Sequence, residues 1–166
     1  MTQARTLVAS GVPSDVQGGD LLAALHRLPY SLHLDGIRLT TALPDRLPPL
    51  PSTQQVALLR TAQEALHNVR RHSGATAAEL LVETPAGDPP LLRLTVTDNG
   101  HGFDTAADHP GFGLKSMAAR LDEIGGRLQV TSSPAGTRLV AVVPTAAPGL
   151  RDADAPQGTH APGAGA

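Results

Sequence analysis

Glu64, Asn68, Arg71 and His72 fall within nine residues of one apolar-periodic segment. On a helix at about 100° per residue they gather in a single stripe, while Leu59, Ala62, Leu66 and Val69 collect on the opposite, packing face. One acid, one amide and two cationic or ligating groups in one place suit an anionic ligand bound with a divalent cation. The amide oxygen of Asn68 is a hard donor of the type Mg²⁺ accepts while keeping most of its waters. Arg71 and His72 can meet phosphate oxygens, and Glu64 can orient or deprotonate an attacking group. A solvated helix face with an incidental Glu-to-Arg pairing would look the same, so the stripe needs a second half.

The segment Asp98-Asn99-Gly100-His101-Gly102-Phe103-Asp104, followed by Gly111-Phe112-Gly113-Leu114, supplies one. Asp98 ends an apolar strand, where a carboxylate held beside a hydrophobic pocket can accept a hydrogen bond from an exocyclic amine such as that of adenine. Gly100 and Gly102 permit positive φ and let a planar ring approach the backbone without a Cβ in the way. Gly111 and Gly113 precede a helix whose first N–H groups and dipole favour phosphate. A calcium loop between Asp98 and Asp104 fails because glycine occupies the intermediate ligand positions. A Rossmann or P-loop fingerprint fails for want of a third glycine or a Gly-Lys-Ser/Thr. A plain structural turn is the remaining alternative.

The elements that must position these residues are legible from periodicity. Leu21 to about Leu32 has helical spacing, interrupted by Pro29. Residues 37–43 alternate as a strand, and the four prolines between Pro44 and Pro51 make an extended connection. A long helix follows, with Ser52 or Thr53 as N-cap, running to about His72 before Ser73-Gly74 ends it. Strands are expected over 76–84 and 91–97, joined by a hairpin-type turn at 85–90. A second helix spans roughly Leu114 to Ile124 and stops at Gly125-Gly126. Strands at 127–131 and 137–143 flank a turn at 132–136. This order gives an α+β fold, a two-layer α/β sandwich with a mixed or antiparallel sheet and helices on one face. It lacks the repeated βαβ alternation of a doubly wound sheet. Residues 1–19 read as weakly structured, 20–144 as the domain, and 145–166, rich in Ala, Pro and Gly, as a disordered tail.

Composition narrows the chemistry further. The chain of 166 residues is 40% apolar but holds only three aromatics, Tyr30, Phe103 and Phe112, so Leu, Val, Ile and Ala must build the core. A net charge of −2 gives no bulk case for nucleic acid or an anionic membrane. The absence of cysteine excludes disulfides, thiolate metal sites and cysteine nucleophiles. No signal peptide or apolar run of membrane-spanning length is present. A cytoplasmic protein is expected, or the cytoplasmic part of a membrane-bound sensor.

Residues 63–72, Gln-Glu-Ala-Leu-His-Asn-Val-Arg-Arg-His, resemble the N box of the GHKL ATPases, nearest to the sensor histidine kinases that partner LuxR-type response regulators. Asp98 to Gly102 resembles their G1 box and Gly111 to Leu114 their G2 box. The likeness continues through Gly113-Leu-Lys-Ser-Met-Ala-Ala-Arg120, Gly125-Gly126 and Gly136-Thr137, and covers about Leu21 to Pro144. The resemblance implies a Bergerat ATP-binding fold. Asp98 would bind the adenine amine with help from Thr137, and Asn68 would hold Mg²⁺. His72, Arg71 and Lys115 would touch phosphates, and Glu64 would assist phosphoryl transfer. Gly100, Gly102, Gly111, Phe112, Gly113 and Leu114 would line the ATP site. The lid between Gly102 and Gly113 is short, with Phe103, Asp104 and Pro110 as its few anchors, and is expected to be mobile without nucleotide.

The resemblance also implies a partner, because the family's phosphoacceptor histidine sits on a helical dimerisation domain and is followed by an acidic residue. His26 precedes Arg27 and His33 precedes Leu34, so neither has that context. The acceptor is expected on a dimerisation domain outside this chain. His67 points off the stripe, and His101, His109 and His160 read as loop or tail residues without metal-ligand spacing. Two other functions share the fold class: a stand-alone serine kinase of the anti-sigma-factor type, and a non-catalytic nucleotide-dependent binding module.

Overall fold

A computed structural model describes residues 20–34, 36–103 and 112–145. Gly111, Asp104, Pro110, His109, His160, the segment 1–19 and the tail beyond Thr145 lie outside the described residues, as does the lid whose mobility the sequence suggests.

The first helix, α1 (Leu21–Ser31), is started by Asp20, whose carboxylate accepts from the Leu22 N–H at 3.0 Å. Pro29 does not interrupt it. A proline in the last turn removes one backbone bond, and the burial of Leu21, Leu25 and Leu28 outweighs that loss. Strand β1 (Arg38–Ala42) follows, and the proline-rich connection leads to α2 (Ser52–Asn68). Neither Ser52 nor Thr53 caps this helix. Pro51 holds the N-cap position without a side-chain bond, its carbonyl accepting from Gln54 and Gln55. Its fixed φ suits a helix start, which leaves Ser52 as the first helical residue.

The end of α2 also differs from the sequence expectation. Val69–Ser73 form a wider π-helical turn, closed by Gly74 at φ +62. Ser73 holds the turn at both ends: its hydroxyl donates to the Val69 carbonyl at 2.7 Å and accepts from the Ala75 N–H at 3.0 Å. One π turn among four α turns barely changes the apolar periodicity, so the sequence pattern does not reveal it.

The remaining elements are β2 (Ala77–Glu83), β3 (Leu91–Asp98), α3 (Phe112–Asp122), β4 (Arg127–Ser133) and β5 (Gly136–Pro144). Helix α3 sits about two residues earlier than its periodicity suggests, since 123–125 form its closing turn, with the Gly126 N–H on the Leu121 carbonyl. The β4–β5 hairpin turns tightly at Pro134-Ala135, so both strands run further than expected. The sheet has five strands in the order β1-β2-β3-β5-β4. Only β1 and β2 run parallel; the other pairs are antiparallel. A parallel pair needs a long crossover, which α2 and the π turn provide. The mixed sheet and its helical layer are the α+β architecture expected.

The core lies between the helices and one sheet face. Leu58, Leu59, Ala62, Leu66 and Val69 of α2 and its π turn, with Met117 and Leu121 of α3, meet Leu80, Leu92, Leu94, Val96, Leu139, Ala141 and Val143. Tyr30 and Phe103 are exposed, so neither ring takes part. The sheet end is tied to the start of α2 by Gln54 Nε2, which donates to the Pro144 carbonyl at 3.1 Å. Thr145, expected to open the tail, is instead buried, and its N–H donates to Pro90. No helix among the described residues is long and apolar enough to cross a membrane.

Candidate functional site

The two halves read from the sequence face each other across one cavity of roughly 600 Å³, within the range typical of small-molecule sites. Glu64, Asn68, Arg71 and His72 line it from α2 and the π turn, and Asp98, Gly102, Phe103, Gly113, Leu114 and Thr137 line it from the loops and strand ends. Ala65, Val69, Val96 and Leu139 give it an apolar wall. His67 and His101 also line it, although the sequence placed His67 off the stripe and His101 in a plain loop. His67 lies on α2 three residues from Glu64, so it borders the same stripe. Lys115 is exposed on α3 and Gly100 is buried behind the loop; neither is among the lining residues. Phe112 is described as the first residue of α3.

At the inner end, Asp98 is only 8% exposed. Its Oδ1 accepts from the Gly100 N–H at 2.8 Å, which fixes the carboxylate plane. Its Oδ2 has no hydrogen-bond partner among the described residues, so one acceptor oxygen is left for a ligand donor. Thr97 pairs with Arg138 across β3 and β5, so one further step sets Asp98 opposite Thr137. At the outer end, the side chains of Glu64, Asn68, Arg71 and His72 make no hydrogen bond or ion pair among the described residues. Four polar groups free of one another around one opening are available to a ligand.

Gly102 does take positive φ, +66, but Gly100 does not. A Cβ at Gly100 would overlap the carbonyl of Ser73, and one at Gly102 the carbonyl of Ser133. They let the loop after Asp98 lie flat against the π turn on one side and the β4–β5 hairpin on the other. The His101 N–H donates to the Ser73 carbonyl at 2.9 Å, joining the loop to the end of the π turn. Gly136 plays the matching part on the far side, where a Cβ would overlap the Asp98 carbonyl. Gly113 brings the start of α3 against the Glu64 carboxylate, which a Cβ would overlap.

Sequence reasoning missed Asn99, Ser73 and Ser132. The Asn99 amide oxygen accepts from the N–H groups of Thr76 and Ala77 at 3.0 and 2.9 Å, pinning the loop to the start of β2. Ser132 Oγ accepts from the Phe103 N–H and bonds Thr137 Oγ1, both at 2.9 Å. The Asp-Asn-Gly run was a visible signal for Asn99, since such side chains habitually bond nearby backbone. Ser132 offered none, its partners being 29 residues back and one strand across.

An apolar slot with a buried acceptor at one end and free amide, cationic and carboxylate groups at the other fits a nucleotide: base inside, phosphates at the opening. The family profile described as histidine kinase-, DNA gyrase B-, and HSP90-like ATPase matches residues 53–147. The chain is 40% identical over 102 residues to the sensor histidine kinase MctS of Rhizobium johnstonii, covering 59% of this chain and 22% of that protein. It is 32% identical over 96 residues to the signal transduction histidine-protein kinase/phosphatase DegS of Brevibacillus brevis, covering 57% and 24%. The chain thus spans about a quarter of the length of these relatives. Among solved structures, the histidine kinase domain of the blue-light activated histidine kinase of Erythrobacter litoralis EL346 superposes with a TM-score of 0.62 at 19% identity. That match covers 75% of this chain and 61% of that one.

Proposed function

The chain belongs to the histidine kinase-, DNA gyrase B- and HSP90-like ATPase family, and from that premise we propose that it is the Mg·ATP-binding catalytic domain of a two-component sensor histidine kinase. It passes the γ-phosphate of ATP to a histidine on a dimerisation domain. The reading rests on one observation: a buried carboxylate with one free oxygen at the apolar end of the cavity, and four unpaired polar groups at its mouth.

Asp98 Oδ2 accepts from the adenine amine, and the Thr137 hydroxyl meets the neighbouring edge of the base. Val96 and Leu139 exclude water from its faces. Asn68, Arg71 and His72 receive the phosphates, with Gly113 and Leu114 at the start of α3. Lys115, exposed one residue further on, is a further cation for the phosphates. Glu64 orients the accepting imidazole and takes its proton. Phosphoryl transfer of this kind is mostly positioning and charge neutralisation.

The donor set fits Mg²⁺ brought by the nucleotide. Among the described residues no three His, Cys, Asp or Glu side chains converge on one point. Asn68 offers a single free amide oxygen, as expected for an ion that keeps phosphate oxygens and waters as its other ligands. Bound there, Mg²⁺ would neutralise charge on the phosphates. We place the domain in the cytoplasm, where ATP is supplied, with a LuxR-type response regulator receiving the phosphoryl group from the histidine.

The test is transfer of labelled γ-phosphate from ATP to a dimerisation domain mixed with this chain. Label that is lost in acid and survives base identifies phosphohistidine and supports the reading. Acid-stable, base-labile label would make it a serine kinase. Tight ATP binding without any transfer would make it a binding module.

A further inference from the structure

Ser132 is half-buried on β4, directly across from Thr137 in the β4–β5 register. Extending the β3–β5 register puts Asp98 beyond Thr137, so Ser132, Thr137 and Asp98 form one cross-strand row at the inner end of the cavity. A serine hydroxyl has one proton to give and two lone pairs to fill. One lone pair of Ser132 Oγ takes the Phe103 N–H at 2.9 Å, and Thr137 Oγ1 lies 2.9 Å away. Either hydroxyl can be the donor between them.

The choice has consequences at the ligand. Asp98 can only accept, so the base must present a donor there. A 6-aminopurine presents a ring acceptor next to that donor, and a 6-oxopurine presents the reverse pair. To meet the ring acceptor directly, Thr137 must give its proton to the cavity and cannot give it to Ser132. Building on the ATP-site reading above, we infer that Ser132 is a positioning residue for the nucleobase: it donates to Thr137 Oγ1 and so fixes the Thr137 hydroxyl as a donor. The row then reads acceptor at Asp98 and donor at Thr137, the complement of the 6-aminopurine edge. The Phe103 N–H fills one lone pair of Ser132 Oγ, and the Ser132 proton is left for Thr137. A serine serving only to anchor Phe103 would be blind to which base is bound.

The experiment titrates Mg·ATP and Mg·ITP, whose base is a 6-oxopurine, into the full chain, its Asp98→Asn variant and three variants at position 132. Ser132→Thr keeps the hydroxyl, Ser132→Val keeps the threonine shape without it, and Ser132→Ala removes both. Freed from Ser132, Thr137 can either donate or accept, so the ATP-to-ITP affinity ratio should fall about threefold to tenfold in the Val and Ala variants, the range of one net hydrogen bond. It should stay near the wild-type ratio in the Thr variant. The Val and Thr pair decides the matter even if the Ala variant does not fold. An equal weakening of both nucleotides in the Val variant, or no change in either, overturns the inference while leaving the ATP site intact. Wild-type protein that binds no Mg·ATP, or binds it equally well as Asp98→Asn, overturns the site reading and this inference together.

Discussion

At the scale of single residues, roles divide by whether a side chain is already engaged. Glu64 makes no hydrogen bond or ion pair among the described residues and sits at the mouth of the cavity. Glu64→Gln keeps its shape and removes its basicity. The expected outcome is ATP affinity within about threefold of wild type and a loss of about a hundredfold or more in phosphotransfer, the usual contribution of a positioned acid or base. Calorimetry and a transfer assay on the same preparation check both halves. Gly102 has a packing role: it holds φ +66 and its missing Cβ faces the Ser133 carbonyl. Gly102→Ala should lower stability by at least about 1–3 kcal/mol, the cost of a strained backbone position, as read by urea denaturation. The chemistry-bearing residues were legible in the sequence because Glu64, Asn68, Arg71 and His72 share one short helical segment and Asp98 opens another. The packing role of Gly100 was not legible, because what forbids a Cβ there is the Ser73 carbonyl, reached only through the tertiary fold.

At the scale of elements, the π turn at the end of α2 links the two halves of the site. Ser73 closes the turn with its hydroxyl and accepts the His101 N–H with its carbonyl, so Arg71 and His72 are set relative to Asp98 through it. Ser73 is 7% exposed. Ser73→Ala leaves a buried N–H at Ala75 without its partner and should cost about 1–3 kcal/mol, with ATP affinity reduced beyond what a comparable loss elsewhere produces. Leu66→Ala serves as that comparison. The side chain is fully buried on the sheet-facing side of α2, and its truncation should cost about 2–5 kcal/mol while leaving ATP affinity nearly unchanged at temperatures where the variant is folded. The helices and strands themselves were readable from period and from the Gly and Pro punctuation. The π turn and the uncapped start of α2 were not. One extra residue in a turn shifts the apolar pattern too little, and Ser52 as first helical residue looks the same in sequence as Ser52 as cap.

At the scale of the whole molecule, a mixed sheet covered on one face by helices brings residues from five separate elements and loops to one cavity. Its far end is closed where Gln54 holds the Pro144 carbonyl and Thr145 pairs with Pro90. A chain stopped after Thr145 should melt within a degree or two of the full chain. One stopped after Val143 loses both bonds and should lose about 1–3 kcal/mol, two net hydrogen bonds; thermal denaturation of the two truncations distinguishes them. The fold class was legible because the order of helices and strands excluded a doubly wound sheet, whereas the parallel pairing of β1 with β2 depends on a crossover that local pattern does not specify. All of these scales meet in the claim that the cavity holds Mg·ATP with its base on Asp98. Calorimetric titration of Mg·ATP into the wild-type chain and into Asp98→Asn tests it most directly. Saturable binding by the wild type that Asp98→Asn abolishes is the predicted result. Equal binding by both proteins, or none by the wild type, would contradict it.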